Sequence, residues 1–94
     1  MNEQEHLGLK RFFTMVSKAE AEVDLMALFD CFFTPEELSA LSLRVNVVKA
    51  LLDGDLSQRE IAKQLKASIS KVTRGSRQLK NMSPELVQQL SCLL

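Results

Sequence analysis

The fold is decided by residues 57–80, which read SQREIAKQLKASISKVTRGSRQLK. Ser57, followed three residues later by Glu60, is the pattern of a capping box, which starts a helix. Ser68 can cap a second helix after a short turn. Two short helices joined by such a turn, with the small Ala62 where they cross, are typical of a helix-turn-helix.

The same segment carries its own predicted core at helical spacing. Its inward positions are expected to be Ile61, Ala62, Leu65, Ile69, Val72, Ser76 and Leu79. Gly75 lies in the middle of the second helix, where a glycine costs about 1 kcal/mol relative to alanine. We therefore expect either a closely crossing helix or a ligand against the backbone at this position.

The outer surface of residues 57–80 carries side chains that suit DNA. Hydroxyl, amide and cationic groups donate to phosphates and base edges. The predicted DNA-binding residues are Gln58, Arg59, Lys63, Ser68, Ile69, Ser70, Lys71, Thr73, Arg74, Ser76 and Lys80. Arg59 and Lys71 are the candidates for reading guanine, where a bidentate contact discriminates by about 1–3 kcal/mol. Contact with phosphates alone is the alternative for both.

Charge is unevenly distributed along a chain whose net charge is zero. Residues 1–37 carry eight acidic and three basic side chains, whereas residues 38–94 carry nine basic and four acidic ones. Within residues 56–82 there are seven basic side chains and one acid, Glu60. Such a footprint favours a nucleic-acid partner, although a charged run can also be a solvated face.

The N-terminal residues extend the prediction to an all-α fold. No stretch alternates apolar and polar residues over the length of a strand. Residues 7–22 repeat apolar side chains at threes and fours and should form an amphipathic helix. Residues 23–33 are apolar on nearly every side, more than a small domain can bury alone. We expect a second subunit to cover them; a compact monomer core is the alternative.

A long central helix should follow. Residues 34–37, TPEE, predict an N-cap, a proline at the first helical position and a capping-box partner. The helix should end at residues 53–55, with Gly54 in a left-handed conformation. Its expected inward face is Leu38, Leu41, Val45, Val48 and Leu52.

A last helix completes the predicted domain. Residues 83–85, SPE, repeat the cap and proline pattern. The side chains expected to face inward are Leu86, Val87, Leu90 and Leu93. The chain is predicted to be one domain made of dimerisation helices (1–33), a central helix (34–55), the helix-turn-helix (57–80) and a C-terminal helix (83–94).

Other classes of protein find little support. No segment suits a membrane span or a signal peptide, so the protein is expected in the cytoplasm. Cys31 and Cys92 stand far apart among apolar neighbours and are predicted to be small buried side chains. His6 is the sole histidine and has no partner at ligand spacing. We therefore expect no metal site and no enzyme.

Several motifs make this sequence resemble the tryptophan repressor family. They are FTPEE at residues 33–37, LRV at 43–45, LL at 51–52, Gly54, LSQRE at 56–60 and TRGS at 73–76. The likeness runs from Phe33 to the C-terminus. It implies an intertwined homodimer that binds double-stranded operator DNA as a repressor, with L-tryptophan as corepressor.

The resemblance also implies a ligand site. Arg44 and Arg74 would sandwich the indole ring, because a planar guanidinium stacks on an aromatic face, and one of them would bind the carboxylate. Gly75 would leave room for the ring, and Thr34 would line the pocket. By periodicity alone, Arg44 lies at the edge of an apolar face, where snorkelling to water is the simpler interpretation.

The amino group of the ligand is where this chain departs from the family. Backbone carbonyls near Cys31 and Phe33 of the other subunit would accept from the ammonium. The family usually offers a serine where this chain has Gln78, which leaves amine recognition open to rearrangement. Lys71 also stands where a smaller polar residue is common, so operator preference could differ.

Two other functions remain open at this level. A regulator of the same fold could respond to a different small ligand, and Gln78 is the feature that favours it. A protein–protein adaptor could use the apolar N-terminal helices, with the basic segment merely solvated.

Overall fold

The computed structural model describes residues 1–94 and contains six α-helices and no strand, as the sequence predicts. The helices are α1 (Glu3–Lys18), α2 (Glu22–Phe32), α3 (Pro35–Asp53), α4 (Gln58–Leu65), α5 (Ile69–Asn81) and α6 (Pro84–Leu93). The chain packs as two compact units, Met1–Glu36 and Glu37–Leu94. None of the helices has the length and apolar composition that crossing a membrane requires.

In the first unit, aromatic rings join α1 to α2. The ring centroid of Phe12 lies 5.5 Å from that of Phe29 and 5.7 Å from that of Phe33, distances typical of favourable pairs. α1 begins and ends earlier than the predicted range 7–22. Asn2 supports the early start, because its side chain accepts a backbone N–H of the first turn at 2.8 Å.

Much of the apolar surface of this unit is exposed in the single chain. The exposed fractions are 78% for Val23, 64% for Met26, 60% for Phe13 and 59% for Phe32. The prediction that Cys31 is buried is wrong, since its side chain is exposed as well. α2 carries apolar residues on nearly every side, and one neighbouring helix can cover only one of those sides.

The second unit is centred on three buried side chains, Val47 of α3, Ile61 of α4 and Val72 of α5. The burial of Ile61 and Val72 confirms the predicted contact between the two helices of the helix-turn-helix. The predicted inward face of α3 is wrong at one position, because Val45 is 41% exposed and Val47 is buried instead. Its other members are half-buried, namely Leu38, Leu41, Val48 and Leu52. α3 is apolar on more than one side, so periodicity alone could not choose between its faces.

Four other residues predicted to be buried are exposed. They are Ile69 and Leu86, each 48% exposed, Leu93, which is 83% exposed, and Cys92. Ile69 is the first residue of α5, in the N-terminal turn of the helix, and lies outside the core cluster. α6 adds no fully buried residue to that cluster, because only part of its surface packs against the other helices of the chain.

The helix boundaries agree with the local signals. α3 begins at Pro35, and Gly54 after its end takes a φ of 72°. Ser68 and Ser83 cap α5 and α6 by accepting backbone N–H groups of the first turn. Lys66 ends α4 with a left-handed φ of 54°, which the sequence did not predict because glycine or asparagine usually takes that conformation.

Candidate nucleic-acid interface and adjoining pocket

A reciprocal capping box defines the start of α4. The Glu60 N–H donates to Ser57 Oγ at 3.2 Å, and the Ser57 N–H donates to Glu60 Oε1 at 3.1 Å. The backbone hydrogen bond from Ser57, then its side-chain hydrogen bond, lowers the pKa of the Glu60 carboxyl below its ordinary value of 4.5. The capping box predicted from the sequence is therefore confirmed, and it orders the turn that carries Gln58 and Arg59.

A side-chain hydrogen bond joins the two helices of the helix-turn-helix. Thr73 Oγ1 on α5 donates to Gln58 Oε1 on α4 at 3.1 Å in a half-buried environment. Two predicted DNA-binding residues therefore contact each other. The bond uses the amide oxygen of Gln58, and the amide nitrogen carries two further donors. Gln58 is thus held in place while it keeps donors for another partner.

Most of the predicted DNA-binding side chains are exposed. They are Arg59, Lys63, Ser68, Ile69, Ser70, Lys71, Arg74 and Lys80. Gln58, Thr73 and Ser76 are half-buried. Lys66 and Arg77 add two exposed cations to the same segment. The basic footprint of residues 56–82 is accessible to a partner, and its contact with DNA stays a prediction.

A cavity of about 400 Å³ lies between α3 and α5. It is lined by Ala40, Leu43, Arg44, Val47 and Val48 of α3 and by Lys71, Arg74, Gly75 and Gln78 of α5. Counted from Ala40 on α3 and from Lys71 on α5, the other lining positions follow at three, four, seven or eight residues, so each helix contributes one stripe. Four residues of the predicted ligand site, Arg44, Arg74, Gly75 and Gln78, line this one cavity. Lys71, which the sequence assigned to DNA, lines it too.

Gly75 lies where α5 crosses α3 closely. A Cβ atom at this position would stand 3.1 Å from Val47 Cγ1 and 3.3 Å from Leu51 Cδ1. Both distances are shorter than ordinary van der Waals contact. Of the two expectations for this mid-helix glycine, the crossing helix is therefore confirmed. Gly75 also lines the cavity, so a larger side chain at this position would press on α3 and extend into the cavity.

The remaining predicted ligand residues belong to the first unit. Cys31 and Thr34 are exposed, whereas Phe33 is half-buried with its ring 5.5 Å from that of Phe29. Their part in a ligand site stays a prediction. This unit has a wide cavity of about 800 Å³ between α1 and α2, and no predicted site residue lines it.

Comparison with known proteins decides the family. The model of the family described as Trp repressor protein matches residues 7–94. The chain belongs to the Trp repressor family. The Trp operon repressor homolog of Chlamydia trachomatis serovar D is 39% identical over 90 residues, which are 96% of each chain. The homolog of Vibrio cholerae is 40% identical over 80 residues, covering 85% of this chain and 78% of its own.

Membership of the Trp repressor family makes the chain a DNA-binding regulator of transcription of the repressor type, in a family of regulators rather than enzymes. A homolog from Vibrio vulnificus is 46% identical over 67 residues, covering 71% of this chain and 66% of its own. The family resemblance seen in the sequence is therefore confirmed.

Sequence reasoning missed the apolar wall of the pocket in this member of the Trp repressor family. Leu43 and Val47 line the cavity from α3, but neither was assigned to the ligand site. The signal was present, because Leu43, Val47 and Leu51 recur at intervals of four beside Arg44. A second apolar stripe on α3, formed by Leu41, Val45 and Val48, fits the same period, so periodicity alone does not select the stripe that lines the cavity.

Proposed function

We propose that the protein represses transcription by binding operator DNA as a homodimer with L-tryptophan as its corepressor, and so controls genes of tryptophan biosynthesis or uptake. The observation that carries the proposal is the cavity between α3 and α5, lined by Arg44 and Arg74 and adjoining the helix expected to read DNA. The names of the relatives, Trp operon repressor homologs, support the same conclusion. Such a repressor would act in the cytoplasm, where operator DNA is found.

The chemistry of the cavity suits a planar aromatic ligand with a carboxylate. Leu43, Val47 and Val48 supply an apolar wall, and each helix adds one guanidinium, from Arg44 and from Arg74. In the proposal the two guanidinium groups stack on the indole faces, and one also binds the carboxylate. A volume of about 400 Å³ lies within the range of small-molecule sites.

Coupling between ligand and DNA follows from the position of α5. This helix carries cavity-lining residues such as Arg74 and Gln78, and also exposed residues such as Ser70 and Lys80. A ligand wedged between α3 and α5 would favour one placement of α5. If DNA binds more tightly to the protein with α5 in that placement, the ligand and DNA each increase the affinity of the protein for the other.

Dimerisation would account for the exposed apolar surface of the first unit. Val23, Met26 and Phe32 of α2 are each more than half exposed in the single chain. Several large apolar side chains exposed on one short helix favour an interface with another protein surface. In the proposal a second copy covers it, and the carbonyls near Cys31 and Phe33 of that copy accept from the ligand ammonium, with Thr34 beside them. Sedimentation equilibrium should give twice the mass of the chain; a monomer at micromolar concentration would contradict the dimer.

Tryptophan fluorescence provides the first test. The chain contains no Trp and no Tyr, so free L-tryptophan can be observed against a nearly dark protein. We expect its fluorescence anisotropy to rise and saturate as purified protein is added. Tryptophan should then increase the affinity for operator DNA selected from random duplexes. The absence of a rise at high protein concentration would remove tryptophan as the ligand.

A regulator of the same fold with a different ligand is the second candidate. Gln78, which lines the cavity, favours it because a longer amide stands where the family usually offers a serine. Competition among indole analogues in the same assay distinguishes the two. An adaptor that binds only proteins is distinguished by DNA itself, since it would not be retained on duplex DNA even at low salt.

A further inference from the structure

The charges around the cavity between α3 and α5 have one sign. Arg44, Lys71 and Arg74 line it, and no lining residue is acidic. The ion pair of α3, between Lys49 Nζ and Asp53 Oδ1 at 2.9 Å, involves none of the three. Three unpaired cations around one small space repel each other, so an anionic group of a ligand is favoured there.

Lys71 is the member of this set that the sequence predicts for DNA alone, whereas Arg74 is predicted both for DNA and for the ligand site. It lies three residues before Arg74 and seven before Gln78 on α5, which places all three along one stripe of the helix. It is also the third residue of α5, where the positive end of the helix dipole favours a carboxylate. Two independent features, the lining of the cavity and the helix end, therefore favour an anion beside Lys71.

We propose that Lys71 is a ligand-binding residue that pairs with the carboxylate of the bound aromatic amino acid, next to Arg74. The inference rests on the proposed function, because it concerns the same cavity. It assigns Lys71 to the ligand rather than to a guanine base. In this arrangement Lys71 and Arg74 of α5 bind the carboxylate of the ligand, and its ring lies between Arg44 and Arg74.

A charge series at position 71 tests the assignment in the absence of DNA. L-Tryptophan affinity is measured by fluorescence anisotropy for the wild type and for Lys71→Arg, Lys71→Met and Lys71→Glu. We expect Lys71→Arg to keep most of the affinity and Lys71→Met to lose roughly threefold to fivefold, the effect of one exposed ion pair. Lys71→Glu should lose more than Lys71→Met. Methionine retains an unbranched apolar stem, so the loss isolates the charge.

Lys66→Met is the matched control, because Lys66 is an exposed cation on the preceding turn and does not line the cavity. It should bind tryptophan like the wild type. Indole-3-propionate, which has the carboxylate but no ammonium, should show the same order of affinities across the series. Far-ultraviolet circular dichroism confirms that each variant is folded, as expected for an exposed position.

Each other result overturns a specific statement. Equal tryptophan affinity for the wild type and Lys71→Met, with weaker DNA binding, would make Lys71 a DNA contact and overturn this inference alone. Tighter tryptophan binding by Lys71→Met would mean that Lys71 repels the ammonium and would overturn it as well. If the wild type binds neither L-tryptophan nor indole-3-propionate, the proposed function is overturned and the inference with it.

Discussion

Gly75 on α5 and Val47 on α3 approach so closely that a methyl group added to Gly75 would lie 3.1 Å from Val47 Cγ1. Val47 is 3% exposed and belongs to the core of residues 37–94. The glycine therefore sets how near the helix expected to read DNA comes to the central helix. The proposed ligand cavity opens beside this contact, so the same approach determines its width.

Gly75→Ala is expected to destabilise the protein despite the better helix propensity of alanine. The propensity gain is about 1 kcal/mol, whereas overpacking a close contact costs about 1–3 kcal/mol. Urea unfolding should give a net loss of about 1 kcal/mol, and Val47→Ala in the same chain should relieve the crowding. Gly8→Ala is the control, since nothing lies within 4 Å of a Cβ there, and it should stabilise the protein. An equal gain at both positions would contradict the close approach.

Thr73→Val should loosen the helix-turn-helix by removing the hydrogen bond to Gln58. The bond is 3.1 Å long and half-buried, so its loss should cost about 1 kcal/mol of unfolding free energy. DNA affinity should fall as well, because the Gln58 amide is no longer held in place. Thr73→Ser keeps the hydroxyl and should behave like the wild type in both assays. If Thr73→Val binds DNA as well as Thr73→Ser does, Gln58 needs no such support.

Glu60 predicts a dependence of stability on acid pH. Its pKa in the folded chain lies below 4.5 because the Ser57 backbone and side chain donate hydrogen bonds to it. A lowered pKa contributes stability that is fully present above pH 4.5 and is lost as the pH falls through the lowered value. Glu60→Gln, which cannot titrate, should therefore lose less stability than the wild type between pH 5 and about pH 3. Parallel urea midpoints across that range would contradict the prediction.

Arg44→Ala and Arg59→Ala should separate ligand binding from DNA binding. Arg44 lines the cavity, so its removal should weaken tryptophan binding roughly tenfold, the size of a cation–π contact. Arg59 is exposed at the start of α4 and does not line the cavity. Arg59→Ala should bind tryptophan normally in calorimetry. Equal tryptophan affinity for Arg44→Ala and the wild type would remove Arg44 from the site.

Salt provides a second readout for the basic segment of residues 56–82. Wild-type affinity for DNA should fall steeply with salt concentration, because phosphate contacts release counterions. If Arg59 contacts a phosphate, Arg59→Ala should reduce the slope of log affinity against log salt by about 1. A flat dependence for the wild type would contradict the basic-footprint argument.

Features that depend on neighbours in the chain were predictable. Ser57 with Glu60, Ser68 before α5 and Gly54 after α3 each act within a few residues, and each appears in the structure as expected. A cap needs only an acceptor beside an unpaired N–H, and a left-handed turn needs only the absence of a Cβ. The starts of α4 and α5 and the end of α3, and with them the helix-turn-helix, could therefore be predicted from the residues themselves.

Which apolar side chains are buried was decided by tertiary packing. Val47 rather than Val45 faces inward, Ile69 is exposed, and Lys71 lines a cavity instead of only facing outward. The period of a helix states which residues share a face, but an apolar helix such as α3 has more than one suitable face. The choice depends on residues distant in sequence, since Ile61 and Val72 must pack against the chosen side and Gly75 must let α5 approach it.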